Sequence, residues 1–173
     1  MADQSSENKV LYKLGIWFAE PADPGKEESK RECYSPGEIF IKAKEDELCK
    51  VPRFLGEGNI PDSENLIRLI DVVSQEMVKS LGCKRVYLVS LESEGKDRLH
   101  FRLLPRYESD KGFLNDLDPE INNTNDGFAL MAHWRKQFLL KEGRPFEKLC
   151  KAHEEAIKKI EEELHKLALT SQD

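Results

Sequence analysis

In Asp97 to Tyr107, DRLHFRLLPRY, polar and apolar residues alternate strictly from Arg98 to Leu103. Leu99, Phe101 and Leu103 fall on one side, and Arg98, His100 and Arg102 on the other. This is the period-two pattern of a strand with one buried face. Pro105 is predicted to end it, because proline brings no N–H to the ladder. Arg85 to Leu91 (RVYLVSL) is a second β-rich run, and the short segment between the two, Glu92 to Lys96 (ESEGK), predicts an antiparallel hairpin. Glu38 to Lys44 (EIFIKAK) alternates in the same way and reads as a third strand. Val10 to Phe18 is apolar and mixed, a strand or a short helix.

Helical spacing takes over from Asp62 to Leu81. Leu66, Ile67, Ile70, Val73, Met77 and Leu81 form one stripe. Pro61 precedes it, Asp62 or Ser63 can cap it, Glu64 lies in its first turn, and Gly82 closes it. A second helix is predicted over Asp126 to Leu140 (DGFALMAHWRKQFLL), capped by Asn125 or Asp126. After the break at Gly143 comes a third, from Pro145 to Leu169. Phe146, Leu149, Ala156, Ile157, Ile160, Leu164 and Leu167 line its apolar side, opposite a face of Glu and Lys. With fewer than four heptads, this helix is expected to pack on its own domain rather than in a coiled coil.

The connections are equally marked. Two prolines and a glycine make Glu20 to Arg31 (EPADPGKEESKR) a charged loop. Val51 to Ile60 carries Pro52, Gly56 and Gly58 and reads as an extended connection, and Glu108 to Asn125 as an irregular polar loop. There is no internal repeat and no low-complexity tract. The order of elements predicts an α+β fold with a C-terminal helical extension.

Composition narrows the function. The 173 residues suffice for one domain with a real core. A net charge of -6 argues against a broad grip on duplex nucleic acid, yet leaves room for a local cation cluster that holds one phosphate. Cys33, Cys49, Cys83 and Cys150 contain no C-x-x-C pair, so no structural zinc is expected. The first residues, MADQSSENKVLYKLG, lack the apolar core of a signal peptide, and no apolar run reaches membrane-spanning length. The expectation is a cytoplasmic protein with reduced thiols, in which the sequon at Asn122 has no role.

The alternating strand holds the candidate chemistry. Side chains at i and i+2 lie roughly 7 Å apart on one face. Two arginine forks flanking an imidazole can hold a phosphate against it. Their charge disfavours imidazolium and keeps His100 in the neutral form that a nucleophile or base requires. Arg106, just past Pro105, offers a further cation. The competing reading is a solvated strand face whose arginines pair with some of the 33 acidic residues, and Leu104 on that face favours it.

Leu99-His100-Phe101 followed by Leu103-Leu104-Pro105-Arg106 resembles the signature of the histidine triad (HIT) family. That signature reads His-apolar-His-apolar-His, two apolar residues, and often Pro-Arg. Arg98 and Arg102 stand where the outer histidines would be, and His100 is the middle one. Gly37 to Lys44 (GEIFIKAK) resembles the family's Gly-His-apolar-apolar-Val-Ile-Pro-Lys segment, with Glu38 in place of histidine and Ala43 in place of proline. The resemblance covers residues 33–107.

The resemblance implies a HIT-like antiparallel sheet with helices over 33–107. A partly disordered N-terminal segment (1–32) would precede it, and a loop and helical extension (108–173) would follow. It also implies that a nucleotide or nucleotide-derived small molecule is the ligand. Domains of the family often form homodimers, and the sequence leaves open whether this chain does. From charge, hydropathy and cysteine spacing, no membrane, duplex nucleic acid or metal is expected, and no cofactor. His100 would be the nucleophile that attacks an α-phosphorus, its ring oriented by a backbone carbonyl. Arg98, Arg102 and Arg106 would bind phosphate. Arginine does not deprotonate, so it cannot serve as an acid toward the leaving group. The alternative is a binding or interaction module that kept the fold and lost the triad.

Other polar residues offer less. His133 is expected at the edge of a packed helix face. His153 and His165 are expected at the surface or a seam; His153-Glu154-Glu155 shares the start of H-E-x-x-H, but Ile157 ends the match. Asn115 to Asp126 (NDLDPEINNTND) is rich in oxygen ligands but lacks the glycine and terminal glutamate of an EF-hand loop. Gly56-Glu57-Gly58 does not join a strand to a helix as a phosphate loop does.

Overall fold

The computed structural model describes residues 9–23, 35–90, 98–107 and 144–170. Its elements run β1 (Tyr12–Leu14), β2 (Trp17–Pro21), β3 (Ile39–Ala43), a 3₁₀ turn at Glu45–Lys50, α1 (Ser63–Leu81), β4 (Arg85–Val89), β5 (Phe101–Arg106) and α2 (Arg144–Thr170). The strands make one five-stranded sheet in the order β1-β2-β3-β5-β4, and every neighbouring pair is antiparallel. The expected helix at 126–140, with His133, lies outside the described residues, as do the segments 92–96 and 108–125.

The apolar alternation decides which face of the sheet is covered. Trp17, Ala19, Ile39, Ile41, Leu99, Phe101 and Leu103 join one core with Leu66, Leu69, Val73, Met77 and Leu81 of α1 and Ala156, Ile157, Ile160 and Leu164 of α2. Burying each large aliphatic side chain contributes about 1.5–3 kcal/mol before the entropy of ordering it is counted. The last helix thus packs on its own chain, as its length predicted. The α1 stripe is shifted from expectation: Leu69 is fully buried, Ile70 partly, and Ile67 exposed.

Two strand ends depart from the sequence reading for one reason. Pro105 was expected to close its strand, and Glu20-Pro21 to lie in a loop. Instead β5 continues to Arg106 with Pro105 opposite Val86, and β2 continues to Pro21 opposite Ile39. Pairing of β5 with β3 has already ended at Leu103, and pairing of β2 with β1 at Ala19. Among the described residues each proline therefore has a strand neighbour on one side only, the edge-like setting that tolerates a missing N–H. The strand also starts later than the alternation implied, since Arg98–His100 precede β5.

The mixed segment Val10 to Phe18 resolves into the β1–β2 hairpin, turned at Gly15 with φ +58°. Asp62 stands at the N-cap of α1, but its carboxylate makes no cap bond. It accepts the Ile16 N–H at 3.1 Å and the Asn65 side-chain amide at 2.8 Å. The indole N–H of Trp17 donates to the Pro61 carbonyl at 3.0 Å. The start of the helix is thereby tied to the hairpin turn. Gly82 ends the helix in the left-handed conformation, as predicted.

A Cβ at Gly15 would sit 1.8 Å from Asp62 Oδ2. Gly15→Ala is expected to lose at least about 1–2 kcal/mol from the left-handed backbone alone, measured by urea denaturation. Gly58→Ala, with no atom within 4 Å of the new methyl, is expected to shift stability by under about 0.5 kcal/mol.

Candidate functional site

The face of the sheet opposite the core carries the charge. Phe40 lies opposite Arg102 across β3–β5 and opposite Glu20 across β2–β3. Period two puts Glu38, just before β3, and Phe40 and Lys42 of β3 on one face with His100, just before β5, and Arg102 and Leu104 of β5. Phe40 is its centre. The His100 ring meets it edge-on at 5.7 Å between centroids, Lys42 Nζ lies 4.4 Å from its centroid, and Arg102 Cζ lies 4.3 Å from it. Each cation also has a carboxylate: Glu20 on Lys42 at 2.7 Å and Glu38 on Arg102 at 2.9 Å.

His100 is half-buried, and its Nδ1 lies 3.1 Å from the Arg98 carbonyl oxygen. A carbonyl has no proton to give, so Nδ1 carries the hydrogen. In the neutral ring the lone pair is then on Nε2. The bond also fixes the plane of the ring, together with the Phe40 contact.

The expected row of arginines is not assembled as a row. Arg98 lies before the strand, close to the 53–57 turn. There the Arg53 backbone N–H and guanidinium hold the Glu57 carboxyl below its usual range, and Arg98 adds a smaller pull. Arg102 is beside His100 but buried and ion-paired with Glu38. Arg106 is buried, with its guanidinium donating to the Tyr87 hydroxyl at 3.2 Å. Six residues along a strand separate it from His100 by about 20 Å. Leu104 is buried on the same face.

A second set of contacts holds the chain just before β3. Glu38 is wholly buried, and its second carboxylate oxygen accepts the Ser35 N–H at 3.2 Å. Gly37 adopts φ +79° and donates its N–H to His153 Nδ1 at 3.1 Å. The Tyr107 hydroxyl donates to the Pro36 carbonyl at 2.9 Å. A side chain at Gly37 would press on the Tyr107 hydroxyl, Leu81 and Ala156 at 3.0–3.2 Å. His153 therefore belongs to a buried seam between α2 and this loop, whereas His165 is exposed. Burial pushes the His153 ring down to about 4, despite the opposing pull of the Ala22 and Ser35 carbonyls and of Asp23. Sequence reasoning noticed Glu38 only as a departure from a motif; it gave a seam as one of two settings for His153 but did not name what the ring meets there.

Other chemistry is sparse. Among the described residues there is no cluster of three or more metal-ligating side chains, and no helix is long and apolar enough to cross a membrane. A cavity of about 870 Å³ lies by β1 and the end of α2, lined by Leu11, Tyr12, Lys13, Phe18, Lys44 and His165 among others. None of the triad-position residues lines it.

No protein-family model matches the chain. No curated protein matches it. Among solved structures, it is similar to a hypothetical histidine triad nucleotide-binding protein from Sulfolobus tokodaii, with 17% identity, 93% of this chain and 86% of that one covered, and a TM-score of 0.50. A Hit-like protein involved in cell-cycle regulation from Bartonella henselae, with an unknown ligand, matches at 15% identity over 76% of this chain and 84% of that one, with a TM-score of 0.42.

Because folding favours the neutral His153 ring, the folded chain holds that proton less tightly than the unfolded chain does. The contribution is fully present above the unfolded value of 6.5 and is lost as pH falls toward about 4. The loss amounts to about 3 kcal/mol over that window. Denaturant midpoints measured from pH 7 to pH 4 are expected to fall accordingly. His153→Asn, whose side-chain oxygen can accept the Gly37 N–H but does not titrate, is expected to flatten that part of the profile.

Proposed function

We propose, for a chain with a HIT-like α+β fold, that it binds a nucleotide with a phosphate against His100 and cleaves a phosphoanhydride or phosphoramidate bond slowly. One observation carries this reading: the His100 Nδ1–H bond to the Arg98 carbonyl, which puts the ring lone pair on Nε2. That is the tautomer and ring orientation a histidine nucleophile uses. It matches the carbonyl-oriented middle histidine that the family resemblance implies.

In the step this geometry supports, Nε2 attacks the α-phosphorus and forms an N–P bond. The P–O or P–N bond to the leaving group breaks and its electron pair departs with that group, a departing nitrogen taking its proton from solvent. The Arg98 carbonyl dipole stabilises the positive ring that results. Water then attacks phosphorus, the N–P electron pair returns to Nε2, and one proton goes to solvent. Arginine at the flanking positions supplies no acid for the departing group, so leaving groups of low pKa react first.

A second reading has its own observation. Glu38 neutralises Arg102, one of the cations that phosphate transfer would recruit, which favours nucleotide binding without turnover.

Nucleotide release from adenosine 5′-phosphoramidate and from a dinucleoside polyphosphate separates the two, with mononucleotide binding followed by calorimetry. His100→Ala is expected to lower turnover at least about 100-fold. Turnover retained in that variant removes His100 from the chemistry. Binding without turnover in the wild type selects the second reading.

A further inference from the structure

We propose that the hollow between β1 and the end of α2 is a binding site for an amphipathic carboxylate, a molecule with an apolar body and one carboxylate head. The site shares no residue with the nucleotide reading above and stands apart from it.

The two ends of the described chain build this hollow. Leu11, Tyr12 and Phe18 line it from the β1–β2 hairpin, and His165 and Ala168 from α2. The ion pair of Lys9 with Glu161, at 2.5 Å, ties the chain just before β1 to that helix. Leu11 and Tyr12 are partly buried against the core, and the Leu11 N–H donates to the Ala19 carbonyl at 2.8 Å. Lys44 belongs to the third wall, and its N–H donates to the Ile16 carbonyl at 2.9 Å. Walls held in this way are in place before a ligand arrives, so binding costs little ordering of the protein. The volume of about 870 Å³ falls within the range of roughly 300–1,000 Å³ common to small-molecule sites, and the mainly apolar lining is theirs as well.

The polar groups choose the sign of the ligand. Lys13 and Lys44 both line the hollow and are exposed, and neither ammonium is in an ion pair among the described residues. Glu45 is the acidic residue beside them, and His165 adds a ring that can donate a hydrogen bond. Basic groups thus gather at an apolar hollow in a chain of net charge -6. Such a place attracts an anionic head and repels a cationic one. A polyanion would bring charges that the apolar lining cannot satisfy. A single carboxylate at the lysines, with its apolar body against Leu11, Tyr12, Phe18 and Ala168, meets both parts of the lining.

The test titrates octanoate, decanoate and dodecanoate into the whole chain by calorimetry, with decanol as the uncharged control. One molecule per chain is expected, and affinity is expected to rise about tenfold with every two carbons added. Lys13→Gln/Lys44→Gln is expected to weaken decanoate about fivefold and to leave decanol unchanged. Ala168→Trp, which fills the hollow, is expected to weaken both at least about tenfold. Circular dichroism identical to the wild type shows that a variant has folded, and the lysine variant decides the outcome if the tryptophan variant does not fold.

No binding of dodecanoate up to about 1 mM overturns the inference. So does decanoate affinity that is unchanged in the lysine variant or in a folded Ala168→Trp, because the ligand then lies elsewhere. Release of bound decanoate by AMP would make the hollow part of the nucleotide site and overturns it too. A chain that binds decanoate in this way but no nucleotide keeps this inference and loses the reading at His100.

Discussion

The contact between Glu38 and Arg102 joins two charges on a face of the sheet where both are buried. Removing a carboxylate and a guanidinium from water costs several kcal/mol per ion, and their attraction offsets that only with good geometry and added hydrogen bonds. Much of the neighbouring architecture follows from meeting those terms. The Ser35 amide takes the second carboxylate oxygen, and the Phe40 ring lies against the guanidinium. Gly37 takes a left-handed turn whose amide points to His153 on a distant helix. The carboxylate side of the pair is thus held by the loop before β3 and by that loop's bond to the distant helix.

Next to this ion pair stands a histidine whose ring is set by the backbone. The His100 ring is oriented by a backbone carbonyl that no side-chain substitution can remove, while the residue two places on has been drawn into an ion pair. The face is thus supported in two ways. The orientation of the His100 ring rests on the backbone and survives changes of side chain. The charges around Phe40 rest on side chains, with Glu20 set against Lys42 and Glu38 against Arg102.

Much of this was readable along the chain. Period two at 98–103 and the helical stripe at 66–81 report which residues face the same way, and they put His100 and Arg102 on one face opposite Leu99, Phe101 and Leu103. Periodicity does not report what meets that face. Ile67 is exposed and Leu69 fully buried, because the elements that pack on α1, and not its own spacing, decide where its covered stripe runs. Pro21 and Pro105 were misread because proline's fit in a strand depends on how many neighbours the strand has at that row, a property of topology. Glu38 and Arg102 are 64 residues apart, and Gly37 and His153 are 116 apart. No local pattern links such positions. One trace was present: Glu38 and Arg102 both stand where the resembled motifs have histidine, so two separate departures turn out to touch.

The bond from Gly37 to His153 also imposes an order of events. The loop that presents Glu38 belongs to the first quarter of the chain, and its anchor belongs to the last helix. On a ribosome building from the N-terminus, β3 and β5 can emerge and pair well before residue 153 leaves the exit tunnel. Contacts of such long sequence separation form late because they close the largest loops. The shape of the sheet can be reached early, but the anchor that holds Glu38 in place arrives with the last helix, so a nascent or truncated chain lacking it would hold that acidic group less firmly against Arg102.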